Sequence, residues 1–184
     1  MKNYLKVAVI LGLICAVAAV ILASVNAITA PRIAEYEANQ TLLALESVAS
    51  GCDIGERTYD DGDANVNYLI PLTENGAVVG YILELNASGY GGAMTLVASY
   101  DSTGKVLSVK MLTNSETPGL GKKSENEGYM DKFLGTGGQT PVPTSKAELR
   151  AEDAQAVSGA TVTFAGIAKA LAYGSDYVAK LGGR

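Results

Sequence analysis

An uncharged stretch of 22 residues, Val7–Ile28, constrains the fold of this chain more than any other part of its sequence. As an α-helix it would be roughly 33 Å long, enough to cross the hydrocarbon core of a bilayer, which is about 30 Å thick. A cleaved signal peptide is the alternative, because small residues occur between Ala23 and Ala30. The stretch is longer than the apolar core of about 7–15 residues that signal peptides carry. The sequence therefore predicts a retained membrane anchor within residues 1–30.

The charges on either side of this stretch predict its orientation. Lys2 and Lys6 precede it, whereas residues 31–184 contain 12 basic and 19 acidic side chains, a net charge of −7. Positive charge next to a membrane span favours the cytoplasmic side. We therefore expect a single-pass protein of the cell membrane, with a cytoplasmic N-terminus and an extracytoplasmic domain after Pro31.

Composition argues against several kinds of site. The chain has no histidine, which excludes His-dependent catalytic triads and the common histidine metal sites. Its net charge of −5 is unfavourable for binding nucleic acid. Cys15 lies inside the apolar stretch and Cys52 stands 37 positions away, so neither a disulfide nor a metal site is predicted. No catalytic side chain is predicted either.

Residues 31–66 are predicted to form a stalk helix followed by an acidic loop. Pro31 suits the first turn of a new helix, and apolar residues then recur at helical spacing to about Ser50. The loop is rich in carboxylates, but it lacks the spacing of an EF-hand, so a solvated loop is favoured over a calcium site. The acidic residues are Asp53, Glu56, Asp60, Asp61 and Asp63.

Residues 67–184 have the pattern of a single α+β domain. Asn75-Gly76 separates two strand-like runs, which is a strong hairpin signal. A last helix is predicted from Thr163 to about Leu181, because its apolar residues recur at helical spacing. We expect a twisted antiparallel or mixed sheet with packed helices. The predicted strands are 68–72, 78–85, 95–100 and 106–112.

Three short motifs follow one another in this domain. Gly89-Tyr90-Gly91-Gly92 indicates a tight backbone turn, and Glu116-Thr117-Pro118-Gly119-Leu120-Gly121 contains a Pro-Gly pair typical of a type II turn. Ser158-Gly159-Ala160-Thr161-Val162-Thr163 stands where the last helix begins. A helix N-terminus favours a bound phosphate, although an ordinary Ser/Thr N-cap would give the same pattern.

The three motifs, in this order and behind a single membrane span, resemble the G component (RnfG) of the Rnf electron-transport complex, an ion-translocating ferredoxin:NAD oxidoreductase. The resemblance covers essentially the whole chain. The C component of the sodium-translocating NADH:quinone reductase is similar in the same FMN-binding domain, and the compact length of this chain favours the Rnf family.

The resemblance implies a covalent FMN, bound through a phosphoester to Thr161 and installed by a flavin transferase. It further implies that the chain relays electrons within a redox-driven ion-translocating membrane complex, among integral-membrane and iron-sulfur or flavin subunits. Residues near the phosphate would be Ser158, Gly159, Ala160 and Thr163, and residues beside the isoalloxazine ring would be Thr117, Leu120 and Gly121.

Two positions differ from the family pattern. Gln155 stands where the flavin-attachment motif commonly has an acidic residue, and Asn114 stands where the Pro-Gly loop often has a histidine. Two other functions are open on the residues alone. One is a membrane-tethered module that holds a free phosphorylated ligand near Thr161, and the other is a purely structural role.

Overall fold

The computed structural model describes residues 2–60 and 62–182, so Asp61 of the acidic segment lies outside the described residues. The chain divides into two compact units, Met1–Thr41 and Leu42–Arg184. The first helix, α1, spans Lys2–Ala49 and contains Pro31 in its interior. The prediction of a helix that restarts at this proline was therefore wrong. A proline removes one backbone donor without ending the helix here.

Within the first unit, α1 exposes its large apolar side chains from Tyr4 to Tyr36. Among the described residues, it is the one helix whose length and apolar character suit a membrane crossing. A helix that is apolar on all sides and has no protein around it fits a membrane anchor.

The second unit contains one antiparallel sheet. Its strand order is β1-β3-β4-β5-β6, and β2 also pairs with β3. The α+β prediction is confirmed, and each ladder is antiparallel rather than mixed. The strands are β1 (Asp53–Ile54), β2 (Thr58–Tyr59), β3 (Val66–Glu74), β4 (Ala77–Ser88), β5 (Ala93–Asp101) and β6 (Val106–Asn114).

The predicted hairpin between β3 and β4 is confirmed. Asn75 and Gly76 both have positive φ, 52° and 81°, as a type I′ turn requires. Glu74 pairs with Ala77 directly across this turn. The turn therefore starts the register of the ladder between β3 and β4.

Both faces of the sheet are covered. The predicted last helix, α3 (Thr161–Gly182), packs on one face, and the end of α1 near Val48 packs on the other. Strand β5 shows the alternation, because Leu96 belongs to the α3 side and Val97 to the α1 side. This is why β5 is buried along nearly its whole length.

Helix α3 approaches the sheet unusually closely at three glycines. A Cβ on Gly166 would overlap with the carbonyl oxygen of Ser88, and a Cβ on Gly182 would overlap with that of Ser102. Between them, Gly174 leaves room for the hydroxyl of Tyr100, which donates to the Leu171 carbonyl at 3.1 Å. The glycines thus let α3 lie close to the end of β4, to β5 and to the turn that follows β5.

The acidic segment is partly ordered by tyrosines of α3. Tyr177 donates to Asp60 at 2.6 Å, and Tyr173 donates to Asp63. Two of the predicted loop carboxylates are therefore hydrogen-bond acceptors that hold the segment against the helix. Among the described residues, no group of three or more acidic or cysteine side chains is placed to hold a metal ion.

The segment between β6 and α3 contains short helical pieces separated by turns and loops. One of these pieces is a 3-10 helix, Tyr129–Phe133. Two further 3-10 helices are Gly121–Glu125 and Lys146–Glu148, and a short α2 spans Ala151–Ala156.

Tyr129→Phe is expected to stabilise the domain by about 1 kcal/mol, because its buried hydroxyl has no hydrogen-bond partner among the described residues. Burial raises the pKa of Tyr129 to about 12. The contribution of this pKa shift to the free energy of unfolding is fully present below about pH 10 and is lost as pH rises toward 12. The variant should therefore lose less stability over that interval. Urea unfolding at pH 7 and at alkaline pH measures both effects; a less stable variant at pH 7 would contradict the first, and an equal loss of stability at alkaline pH would contradict the second.

Candidate functional site

The three motifs meet at one end of the sheet. Strand β4 ends at Ser88, and β5 begins beyond the glycine-rich turn. The last residue of β6, Asn114, pairs with Met94 near the start of β5, which brings the Pro-Gly loop beside that turn. Helix α3 begins at Thr161 at the same end, because Gly166 in its second turn lies against Ser88.

An open cleft of about 430 Å³ lies where these segments meet. One wall comes from the glycine-rich turn, one from the Pro-Gly loop and one from the first turn of α3. The lining residues are Tyr90, Glu116, Thr117, Leu120, Gly121, Gly159, Ala160, Thr161, Val162 and Thr163.

Seven of the eight residues predicted for the site line this cleft. The exception is Ser158, which is exposed and accepts a hydrogen bond from Lys146 Nζ at 3.3 Å. Ser158 therefore precedes by one residue the part of the chain that lines the cleft, which begins at Gly159. The ammonium group of Lys146 lies beside it.

The start of α3 leaves its first-turn amides without helical acceptors. The first helical bond runs from the Phe164 amide to the Ala160 carbonyl at 2.9 Å, so Ala160 occupies the N-cap position. Alanine has no side-chain acceptor, which excludes the ordinary Ser/Thr N-cap considered for this motif. Thr161 is exposed, and it lines the cleft together with the next two residues, whose amides have no i−4 partner in a helix.

The Pro-Gly segment forms the predicted type II turn. The Leu120 amide donates to the Thr117 carbonyl at 3.1 Å, and Gly119 has a φ of 78°. Leu120 is 48% exposed, and its side chain lies near Gly159 across the cleft. An apolar side chain is thereby held at the cleft opening, close to the start of α3.

Tyr90 is the residue of the glycine-rich turn that lines the cleft. It is 82% exposed, although its neighbours in the turn are fixed by a hydrogen bond from the Gly89 amide to the Gly92 carbonyl at 2.8 Å. The turn therefore presents an aromatic ring on a rigid backbone.

Glu116 is the functional-site residue that the sequence patterns did not reveal. It is only 5% exposed, and each carboxylate oxygen accepts one hydrogen bond. Oε1 accepts from the Gly91 amide at 2.9 Å, and Oε2 accepts from the hydroxyl of Thr163 at 3.0 Å. Thr163 is itself 1% exposed, so its hydroxyl is directed to Glu116. The one available signal was an acidic residue directly before the Pro-Gly loop.

Asn114, one of the two residues that differ from the family pattern, supports this arrangement. Its Oδ1 accepts from the Glu116 amide at 2.8 Å, and its Nδ2 donates to Ser124 Oγ at 2.9 Å. Ser124 in turn donates to the Gly121 carbonyl at 2.8 Å. The asparagine therefore ties both ends of the Pro-Gly loop together.

A second, larger cleft of about 750 Å³ opens on the other side of the α3 start. Thr161 and Val162 line both clefts, and Lys169 adds a positive charge to the second one. Thr161, which is exposed, is therefore accessible from both clefts.

The residues that form this cleft lie in a part of the chain that is similar to known proteins. A family described as an FMN-binding domain matches residues 89–175, which include the three motifs, and a family described as the RnfG N-terminal region matches residues 1–48. The chain is 30% identical to the G component of the ion-translocating oxidoreductase complex of Methanosarcina acetivorans, over 96% of this chain and 95% of that protein. It is 32% identical to the corresponding G component of Cereibacter sphaeroides, over 84% and 74% respectively. It is 27% identical to the G component of the Na(+)-translocating ferredoxin:NAD(+) oxidoreductase complex of Acetobacterium woodii, over 88% and 85%.

Proposed function

Because this chain belongs to the RnfG family of ion-translocating oxidoreductase complexes, we propose that it carries electrons within such a complex, with FMN bonded to Thr161. One observation carries the proposal. The three motifs inside the FMN-binding match converge on a single cleft, and Thr161 is the exposed hydroxyl on its α3 wall.

The residues of the cleft suit FMN. Its volume of about 430 Å³ lies within the range of about 300–1,000 Å³ that is usual for small-molecule sites. Leu120, Val162 and Tyr90 offer apolar surface for a planar ring, and the free amides at the α3 start suit a phosphate. FMN, when bound, supplies the electron-transfer chemistry, and the protein supplies its position and surroundings.

The proposed roles follow from where each side chain stands. Thr161 carries the phosphoester, while Gly159 and Ala160 let the backbone approach the phosphate closely, with Ser158 beside Lys146 at the edge of the site. The Thr163 hydroxyl is engaged by Glu116, so its amide is the group offered to the phosphate. The ring would lie against Thr117, Leu120 and Gly121.

The covalent bond requires a defined exchange of atoms. The Thr161 hydroxyl oxygen bonds to the phosphorus of a flavin nucleotide and loses its proton, and the phosphorus releases one oxygen substituent as the leaving group. The net addition to the chain is FMN minus water. We propose a flavin transferase as the catalyst, because the cleft itself offers no general base among its described residues besides the engaged Glu116.

We place the chain in a complex that moves electrons between ferredoxin and NAD and couples this to ion transport. The Acetobacterium woodii relative, a component of a sodium-translocating ferredoxin:NAD oxidoreductase, supports that reaction class. Integral-membrane and iron-sulfur or flavin subunits would be its partners. The intact mass of the purified full chain tests the covalent flavin, and the Thr161→Ala variant tests the attachment site.

Sidedness gives a separate prediction, because the proposal puts the flavin domain outside the cytoplasmic membrane. In a background carrying Cys15→Ala and Cys52→Ser, Ser102→Cys places a thiol at an exposed position of the domain. A membrane-impermeant maleimide should label it in intact cells, or in spheroplasts where an outer membrane is present. Tyr4→Cys, before the span, is the matched control and should react only after the membrane is permeabilised. The reverse pattern would contradict the orientation.

A further inference from the structure

Glu116 connects the three walls of the cleft through hydrogen bonds of its side chain, and the proposed function gives it no role. The residue belongs to the Pro-Gly loop, its Oε1 binds the glycine-rich turn through Gly91, and its Oε2 binds α3 through Thr163. These partners are 25 and 47 positions away along the chain. A single buried carboxylate therefore joins three segments that are far apart in sequence.

The glycines of two motifs are explained by this carboxylate. A Cβ on Gly89 would overlap with Oε1 of Glu116, and a Cβ on Gly121 would overlap with Oε2. A Cβ on Gly91 would lie 2.7 Å from the carbonyl oxygen of Ser115. The glycine-rich turn and the Pro-Gly loop thus share one packing requirement, which is space for the Glu116 side chain.

The donors around Glu116 also match its chemistry. An ionised carboxylate has two acceptor oxygens and no proton to donate, and here each oxygen faces one donor. Hydrogen bonds to a charged acceptor are stronger than neutral ones and are expensive to break when they are buried. Among the described residues no cation forms an ion pair with Glu116, so these two donors, and not a salt bridge, fix its position.

We propose that Glu116 is the positioning residue of the FMN cleft. Its carboxylate locks the glycine-rich turn and the Pro-Gly loop to the start of α3, so that Tyr90 and Leu120 keep fixed places beside Thr161. The inference rests on the proposed function only where it names FMN. The mechanical link between the segments is a property of the protein without the flavin.

Hydrogen exchange tests that link in the full chain, purified in detergent and carrying Thr161→Ala so that no flavin is attached. Glu116→Ala should speed exchange of the 89–92 amides by about tenfold or more, because the Gly91 amide loses a charged acceptor. The turn at residues 74–77 is the internal control and should not change. Glu116→Gln should restore most of the protection, since its side-chain oxygen can accept from Gly91 and its NH₂ group can donate to the Thr163 hydroxyl.

Several outcomes would overturn the proposal. One is unchanged exchange at residues 89–92 in Glu116→Ala, and another is equal acceleration at the control turn, which would mean general destabilisation. Thr163→Val provides a milder variant in case Glu116→Ala does not fold. It keeps the carboxylate of Glu116 but removes one of its two donors. Amide exchange should therefore be accelerated less than in Glu116→Ala, and only at residues 89–92.

Flavin-loaded protein supplies the second readout. The visible circular dichroism of the bound flavin should fall in Glu116→Ala and persist in Glu116→Gln, because dichroism reports how rigidly the ring is held. Equal dichroism in the two variants would contradict a positioning role. If the otherwise unaltered protein takes up no flavin, the proposed function fails, while the exchange experiment still decides whether Glu116 joins the segments.

Discussion

Replacing Thr161 by alanine is expected to abolish the proposed covalent attachment of flavin completely. The cleft contains three threonines, and their environments differ. The Thr163 hydroxyl is buried and donates to Glu116, whereas Thr161 is exposed at the first turn of α3. Thr117 precedes only the five-residue 3-10 helix Gly121–Glu125, whereas Thr161 is the first residue of the 22-residue α3, whose N-terminus favours a phosphate more strongly. The intact mass of the denatured protein, after co-expression with a flavin transferase, should show FMN minus water in the parent chain and no adduct in the variant.

Two variants make this result specific. Thr161→Ser keeps a hydroxyl at the same place and should retain some adduct. Ser158→Ala removes the neighbouring exposed hydroxyl outside the cleft and should leave the site of attachment unchanged. An adduct that persists in Thr161→Ala would place the bond elsewhere. A flavin that is present in native protein but released by denaturation would favour the module that binds a free phosphorylated ligand.

Local patterns in the sequence were enough to predict most of the fold. Asn75-Gly76 requires positive φ at two positions, and the structure has the expected hairpin there. The Pro118-Gly119 pair likewise forms the expected type II turn. These predictions succeeded because each depends on the conformational preferences of adjacent residues. Pro31 shows the limit of such reasoning, since a proline can start a helix or lie within one, and α1 continues through it.

The centre of the candidate site could not be predicted from local patterns. Glu116 is adjacent to the Pro-Gly turn and would ordinarily be taken as an exposed loop carboxylate. Its burial depends on Gly91 and Thr163, which only the folded sheet and α3 bring to it. The role of Asn114 was also hidden, because its bonds to the Glu116 amide and to Ser124 form only once the loop is folded. The sequence identified the cleft walls, but not the group that joins them.

Gly166→Ala is expected to destabilise the domain by about 1–3 kcal/mol, which is the usual cost of overpacking a well-packed contact. In an unconstrained helix the same change would stabilise by up to about 1 kcal/mol, because alanine has the better helix propensity. Here the added methyl group would overlap with the backbone carbonyl of Ser88, which cannot rotate away as a side chain could. The clash therefore reverses the sign expected from helix propensity.

The effect of Gly166→Ala should reach the flavin site, because Gly166 holds the first turns of α3 against the end of β4. Differential scanning calorimetry of the full chain in detergent should show a midpoint several degrees lower. The proposed flavin attachment at Thr161 should fall in parallel, since the α3 start would shift away from the cleft. Ala165→Gly is the matched control on the neighbouring position. It introduces no clash and should cost only the propensity difference of about 0.5–1 kcal/mol, with attachment preserved. An unchanged or higher midpoint in Gly166→Ala would show that helix propensity, and not the contact with Ser88, decides the effect of this substitution.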